Sequence, residues 1–93
     1  MNIEINKEFK QNYLVQDNNT AKFMGSGDLE VLATPSLVAF MENVAKEYLN
    51  TFLPEELGSV GSNININHIA PTLVGKEITV QGKITEIIKD KII

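Results

Sequence analysis

Apolar residues recur at a helical spacing in the segment that begins at Thr34. At 3.6 residues per turn they form one wide arc, which consists of Leu37, Val38, Phe40, Met41, Val44, Ala45, Tyr48, Leu49 and Phe52. The opposite face carries Ser36, Asn43, Lys46, Glu47 and Asn50. Thr34 is a favourable N-cap, Pro35 suits the first helical position, and Pro54 marks the end. The pattern predicts one long amphipathic helix.

Apolar and polar residues alternate elsewhere, which is typical of half-buried strands. Residues 3–15, 60–69 and 77–88 are the candidate strands, and Gly82 within the third indicates a bulge or a close backbone approach. Residues 89–91 predict a turn, and residues 92–93 the beginning of another strand. One long helix and so few strands leave apolar surface on both, so we expect a partner chain or further polypeptide to cover it.

The second candidate strand contains the only histidine in the chain. His68 shares a face with Ile64 and Ile66, whereas the intervening asparagines point the other way. A lone histidine on an apolar face is more often a hydrogen-bonded core residue than a catalyst. Glu42 falls at the edge of the helical apolar arc, so we expect its carboxylate to be partly buried. These patterns alone give neither residue a defined role.

Length and composition restrict the function further. Ninety-three residues form one small domain, which we assign to residues 1–93. A net charge of −4, with no arginine and no basic stripe, argues against nucleic acid as a partner. The lack of cysteine excludes a thiolate nucleophile and a Cys-based metal site, the single histidine excludes a His-rich one, and we expect neither metal nor cofactor. Without a signal peptide or an apolar run of about 20 residues, we expect a cytoplasmic protein that binds no membrane.

Four short motifs occur in a fixed order over roughly residues 15–88. They are VLATP, a helix carrying ME, then SVG, then a strand ending in H-x-A-P-T-x-x-G. In this order they resemble the fluoroacetyl-CoA thioesterase-like family of hot-dog-fold thioesterases. The resemblance implies an α+β hot-dog fold, in which an antiparallel sheet wraps a long central helix, and a homodimer or higher homo-oligomer. Family members continue with two further strands, so the chain corresponds to a C-terminally shortened domain.

The resemblance also implies an enzyme that hydrolyses a small acyl-CoA to the free acid and CoA. Its catalytic residues would be Thr34 in A-T, Glu42 in M-E and His68 in H-x-A, with the Gly61 N–H of V-G as an oxyanion donor. Thioester hydrolysis needs a nucleophile or an activated water, a proton carrier and donors aimed at the oxyanion. These residues supply each of them. Thr34 would either attack covalently or position the water.

Substrate contacts follow less directly from the motifs. Lys22, Lys76 and Lys83 are candidates for binding the CoA diphosphate. The namesake enzyme has a phenylalanine-rich lid before its A-T dipeptide, where this chain has GSGDLEVLAT, which favours a generic short acyl group over a fluorinated one. The glycines at positions 25 and 27 predict a backbone bend, because no Lys-Ser/Thr follows at phosphate-loop spacing.

Structural interpretations and other functions stay open at this stage. Thr34 would equally serve as a helix cap, and Glu42 as a solvated helix charge. Because Thr34 and Glu42 are separated by about 12 Å along a helix axis, either the substrate bridges them or a second subunit completes the site, which we favour. The alternatives are a non-catalytic acyl-CoA-binding or interaction domain, and another hot-dog activity such as a dehydratase.

Overall fold

One long helix packs against two antiparallel strands in the computed structural model, which describes residues 3–93. Met1 and Asn2, part of the single domain assigned to residues 1–93, lie outside the described residues. The elements in chain order are β1 (Glu8–Leu14), a 3₁₀ turn (Asp17–Asn19), α1 (Ala21–Met24), α2 (Thr34–Asn50), β2 (Glu77–Lys83), β3 (Ile87–Ile88) and β4 (Lys91–Ile92). Strand β1 pairs with β2, and β3 pairs with β4 in a separate hairpin. The architecture is α+β.

Aromatic stacking joins α2 to β1. Phe9 and Tyr13 lie four residues apart, so they project from the same face of the strand. The Phe9 ring stacks on Tyr48 with a centroid distance of 4.2 Å, and Tyr13 stacks on Phe40 at 4.6 Å. The Tyr13 hydroxyl also donates a hydrogen bond of 2.6 Å to Oδ1 of Asn43. The apolar arc predicted for the helix is therefore the face that covers the sheet.

Gly82 makes room for an aromatic ring across the β1–β2 ladder. The register is continuous through all seven residues of each strand and places Gly82 opposite Phe9. A Cβ atom at position 82 would lie 2.7 Å from both Cε2 and Cζ of Phe9. The bulge predicted for Gly82 is wrong, and the group that approaches Gly82 closely is the Phe9 ring rather than a backbone segment.

Helix α2 begins one residue earlier than the sequence predicts. Thr34 is its first residue, Ala33 is the N-cap, and no side chain caps the helix. The prediction that Thr34 is the N-cap is therefore wrong. Backbone hydrogen bonds fix the entry to the helix instead, from Leu32 N–H to the Thr72 carbonyl at 2.8 Å and from Ala33 N–H to the Asn19 carbonyl at 2.8 Å. The Thr34 hydroxyl is thereby free for another contact.

Residues 60–69 do not form the predicted strand. Among the described residues they belong to neither sheet, although Ile66 and His68 are half-buried and Asn67 between them is exposed. Ile64, predicted to share their face, is exposed. Val60 and Ile69 are 92% and 91% exposed. Alternation indicates which side chains share a face, but a strand also needs a backbone partner, and residues 3–93 supply none here.

The remaining strand predictions hold within shorter limits. The first candidate, residues 3–15, is reduced to β1, and the third, residues 77–88, divides into β2 and β3. The predicted turn after Ile88 is confirmed between β3 and β4, although Lys91, predicted in the turn, already belongs to β4. Within residues 3–93, no helix combines the length and the apolar character that crossing a membrane requires.

Candidate active site

The Thr34 hydroxyl lies against the ring of His68. The distance from Thr34 Oγ1 to His68 Nδ1 is 2.8 Å, with Thr34 exposed and His68 half-buried. When the ring proton is on Nε2, Nδ1 accepts the hydroxyl proton, and in the other tautomer Nδ1–H donates to the hydroxyl. An imidazole in this position can take a proton from the alcohol or from a water bound beside it.

The Glu42 side chain lies against the backbone of Gly61. A Cβ atom at position 61 would collide with Oε2 of Glu42 and would lie 3.5 Å from its Cδ. Because glycine has no Cβ atom, Gly61 leaves room for the Glu42 carboxylate. The Gly61 N–H has no acceptor within residues 3–93, so it can donate to an oxyanion.

Glu42 is exposed rather than partly buried, which corrects the expectation from the helical periodicity. The physical reason is the nature of its neighbour. Gly61 contacts the Glu42 carboxylate. Because glycine has no side chain, this contact shields the carboxylate little from solvent.

The four predicted residues come together as two pairs rather than as one cluster. Gly61 contacts Glu42, and His68 contacts Thr34 at the first turn of α2. Residues 61–68 therefore run along α2 towards its beginning. Along the helix axis the two pairs are separated by about 12 Å, the rise of eight helical residues. The roles assigned to these residues stay predictions.

A shallow cavity of about 350 Å³, largely open to solvent, adjoins the Thr34–His68 pair. Besides Thr34 and His68, Ser26 is the polar residue in its lining. The remaining lining residues are Ala21, Val31, Leu32, Pro35, Ile69, Ala70 and Pro71. An apolar cavity with a hydroxyl–imidazole pair at its edge can hold a small apolar group and present a polar atom of that group to the pair.

The three candidate lysines lie in different places. Lys22 belongs to α1, next to the cavity, and its Nζ lies 3.6 Å from Oε1 of Glu30 with both side chains exposed. Lys83 lines a second cavity of about 230 Å³ between α2 and β2, whereas Lys76 lines neither of the two cavities. Of the three, Lys22 is the one that directly follows a residue lining the cavity beside Thr34 and His68, Ala21.

Three residues near the cavity were not identified as candidates by the sequence patterns. Ser36, expected on the polar face of α2, is buried and donates a 2.8 Å hydrogen bond to Met24 Sδ. The helical period correctly directs Ser36 away from the sheet, but residues 20–27 cover that side of the helix. Ser26 lines the cavity from the same segment. A sequence signal existed at Thr20, whose hydroxyl accepts from the Phe23 N–H at 3.1 Å as an N-cap does.

The family model of fluoroacetyl-CoA-specific thioesterases, FlK, matches residues 15–93. Solved structures of FlK have the same fold. A phenylalanine-to-alanine mutant in complex with fluoroacetate and CoA gives a TM-score of 0.92 at 22% identity, over 97% of this chain and 77% of that chain. A FlK structure that addresses activity and substrate specificity gives 0.92 at 21% identity, over 99% and 73%.

A third FlK structure, a threonine-to-serine mutant in complex with acetyl-CoA, gives a TM-score of 0.90 at 21% identity, over 97% of this chain and 72% of that chain. No curated protein is significantly similar to the chain in sequence. At these identities the structural likeness concerns the fold, and it confirms the predicted hot-dog architecture.

Proposed function

Because the chain belongs to the family of fluoroacetyl-CoA-specific thioesterases, we propose that it hydrolyses a small acyl-CoA thioester to the free acid and CoA. The observation that carries this proposal is the 2.8 Å contact between Thr34 Oγ1 and His68 Nδ1 at the edge of an apolar cavity. The contact joins a potential nucleophile to a potential base, and the cavity offers a place for the acyl group beside them.

In the proposed reaction, the thioester carbonyl carbon lies next to the Thr34 hydroxyl. His68 accepts a proton from that hydroxyl, or from a water held against it, as the new C–O bond forms. The Gly61 N–H donates to the oxyanion. The C–S bond then breaks, and protonated His68 returns the proton to the leaving CoA sulfur. If Thr34 attacks, a water hydrolyses the resulting ester in a second, equivalent step.

A second copy of the chain completes the proposed site. Within one chain, Glu42 with Gly61 and Thr34 with His68 are too far apart to meet at one carbonyl group. A two-fold dimer allows the Glu42–Gly61 pair of one subunit to face the Thr34–His68 pair of the other. The exposure of Val60 and Ile69, 92% and 91%, supports an interface along residues 60–69.

The proposed substrate is a generic short acyl-CoA. An apolar cavity of about 350 Å³ supports a small acyl group, and residues 25–27 offer no aromatic side chain to surround a fluorinated carbon. Lys22 is the lysine best placed to approach the CoA diphosphate, although its pairing with Glu30 competes for the charge. The acting groups are side chains and one backbone amide, so the proposal includes neither metal nor cofactor.

One alternative is a domain that binds acyl-CoA without turning it over. The exposure of both Thr34 and Glu42 and their separation along α2 favour this alternative if the chain functions as a monomer. Binding and hydrolysis differ in a single observable, the release of free thiol, so one assay distinguishes them.

The test is thiol release from a panel of acyl-CoA thioesters, with wild type, Glu42→Gln and His68→Ala compared at equal concentration. We expect each variant to lose about 100-fold or more in rate, because His68 is the proposed proton carrier and Glu42 is proposed to act through its carboxylate, as a base or as the attacking group. Glu47→Gln is the matched control, because Glu47 is an exposed carboxylate on the same helix. Dialysis against EDTA should leave the wild-type rate unchanged.

Two results would contradict the proposal. Hydrolysis by Glu42→Gln and His68→Ala at the wild-type rate would refute the assignment of the site. Calorimetric binding of acyl-CoA by a wild-type protein that releases no thiol would establish the binding domain instead.

A further inference from the structure

Residues 20–27 form one wall of the cavity beside Thr34. Two of them, Ala21 and Ser26, line the cavity directly. The Ser26 N–H donates to the Ala21 carbonyl at 3.0 Å, so the turn after α1 folds back onto the start of that helix. The position of this segment relative to Thr34 therefore determines how far the cavity extends.

The segment has little to hold it in place through its own apolar side chains. Helix α1 has four residues, too few to be stable in isolation. Phe23 is 69% exposed and Leu29, just beyond the turn, is 68% exposed. The buried Thr20 anchors the beginning of the segment. Ala21 and Lys22 are held as well, because their N–H groups donate to the carbonyls of Val31 at 2.8 Å and Leu29 at 3.1 Å. The end of the segment, from Met24 onwards, is held to α2 by a different contact.

That contact is the hydrogen bond from Ser36 to Met24. Ser36 Oγ lies 2.8 Å from Met24 Sδ, and Ser36 is 5% exposed, two positions after Thr34 in the first turn of α2. A thioether is a weak acceptor. It is nevertheless the acceptor that this buried hydroxyl has within residues 3–93, and a buried donor without an acceptor is costly. The bond thus ties the last residue of α1 to the helix that carries Thr34.

We infer that Met24 and Ser36 are positioning residues that hold residues 20–27 at a fixed distance from Thr34 and thereby limit the length of the acyl chain. The inference rests on the proposed function for its substrate. When the bond is broken, the part of the wall formed by Ser26 moves outward and the cavity admits longer chains, while Ala21 stays bonded to the Val31 carbonyl. Selection between short and long acyl groups then weakens, while the Thr34–His68 pair stays in place.

The experiment compares kcat/KM for acetyl-CoA and hexanoyl-CoA in Ser36→Ala, Met24→Leu and Met24→Gln. Leucine keeps the volume of methionine but has no acceptor, whereas glutamine keeps an acceptor at similar reach. We expect the acetyl to hexanoyl ratio to fall about three- to tenfold in Ser36→Ala and Met24→Leu, and to stay near wild type in Met24→Gln. Ser59→Ala, at an exposed serine, and Met41→Leu, at the second cavity, are the controls.

If Met24 acted only by packing, Met24→Leu would keep the acetyl to hexanoyl ratio better than Met24→Gln, the reverse of the expected result. The inference is overturned if Met24→Leu keeps the wild-type ratio and Met24→Gln loses it. It is also overturned if Ser36→Ala and Met24→Leu change the ratio additively in the double variant, because a shared bond can be lost only once.

A second measurement separates this inference from the proposed function. Hydrogen exchange of the amides of Met24, Gly25 and Ser26, which donate to carbonyls of residues 20–22, reports on the segment without a substrate. We expect faster exchange in Ser36→Ala and Met24→Leu than in wild type. If wild type releases no thiol, the proposed function fails while exchange still tests the contact. If wild type hydrolyses acyl-CoA and the variants change neither exchange nor ratio, the inference alone fails.

Discussion

The hydroxyl of Thr34 and the ring of His68 lie 2.8 Å apart, although 34 positions separate them in the sequence. The contact argues against two structural interpretations, Thr34 as a helix cap and His68 as a core residue. Thr34 makes no capping bond, and His68 is half-buried with its Nδ1 directed at a hydroxyl near a cavity. We therefore interpret the pair as chemical rather than structural.

Replacing Thr34 tests this interpretation. Thr34→Val keeps the shape of the side chain but removes the hydroxyl, so we expect a loss of about 100-fold or more in thiol release. Thr34→Ser keeps the hydroxyl and should retain most of the rate. Because Thr34 does not cap α2, Thr34→Val should leave the midpoint of thermal unfolding nearly unchanged. A destabilisation of about 1 kcal/mol, typical of a lost cap, together with an unchanged rate would restore the structural interpretation.

Gly61→Ala should impair catalysis more than folding. The added Cβ collides with the Glu42 carboxylate, the far end of a flexible side chain, so Glu42 swings aside at little cost in stability. We expect kcat to fall with the unfolding midpoint nearly constant. Gly58→Ala is the matched control, because a Cβ at position 58 meets no atom within 4 Å. Equal rates in the two variants would show that the place of Glu42 against Gly61 is unimportant.

Gly82→Ala should have the reverse effect and impair folding. A Cβ 2.7 Å from two ring atoms of Phe9 forces the ring from its stack on Tyr48, which we expect to cost about 1–3 kcal/mol in urea unfolding. Adding Phe9→Leu should recover part of this loss, since a smaller side chain then faces the alanine. Strictly additive losses would contradict the contact.

The pKa of Tyr13 predicts how the stability of the fold depends on pH. Burial, and secondly the negative charge of Glu47, raises the pKa of Tyr13 above its usual 10.0. The folded state therefore holds the phenolic proton more tightly than the unfolded chain. This contribution to stability is complete below about pH 10 and is lost as the pH rises through the folded-state pKa.

Urea unfolding of wild type and Tyr13→Phe between about pH 9 and 11 measures this contribution. Tyr13→Phe lacks the hydrogen bond to Asn43, so the variant is less stable than wild type at every pH below the pKa of Tyr13. Wild type should lose stability more steeply than Tyr13→Phe over this interval. Parallel curves would contradict the raised pKa.

Much of the fold could be predicted from the sequence, but the contacts at the site could not. The period of α2 repeats over 17 residues and is therefore unambiguous, as is the alternation in β2. Alternation in residues 60–69 gave the orientation of His68 but could not show that the segment lacks a ladder partner. The burial of Ser36 depends on residues 20–27, which lie far from the sheet side of the helix. The contact of Glu42 with Gly61 depends on tertiary structure and has no local signal.

The central claim is that the Thr34–His68 and Glu42–Gly61 pairs act on one thioester across two copies of the chain. The most direct measurement mixes Thr34→Ala with Glu42→Gln, unfolds and refolds them together, and follows thiol release from acetyl-CoA. Each variant alone should be nearly inactive. Half of randomly mixed dimers are hybrids with one intact site, so we predict recovery of about a quarter of the wild-type activity. No recovery in the mixture, with wild type fully active after the same treatment, would contradict the claim.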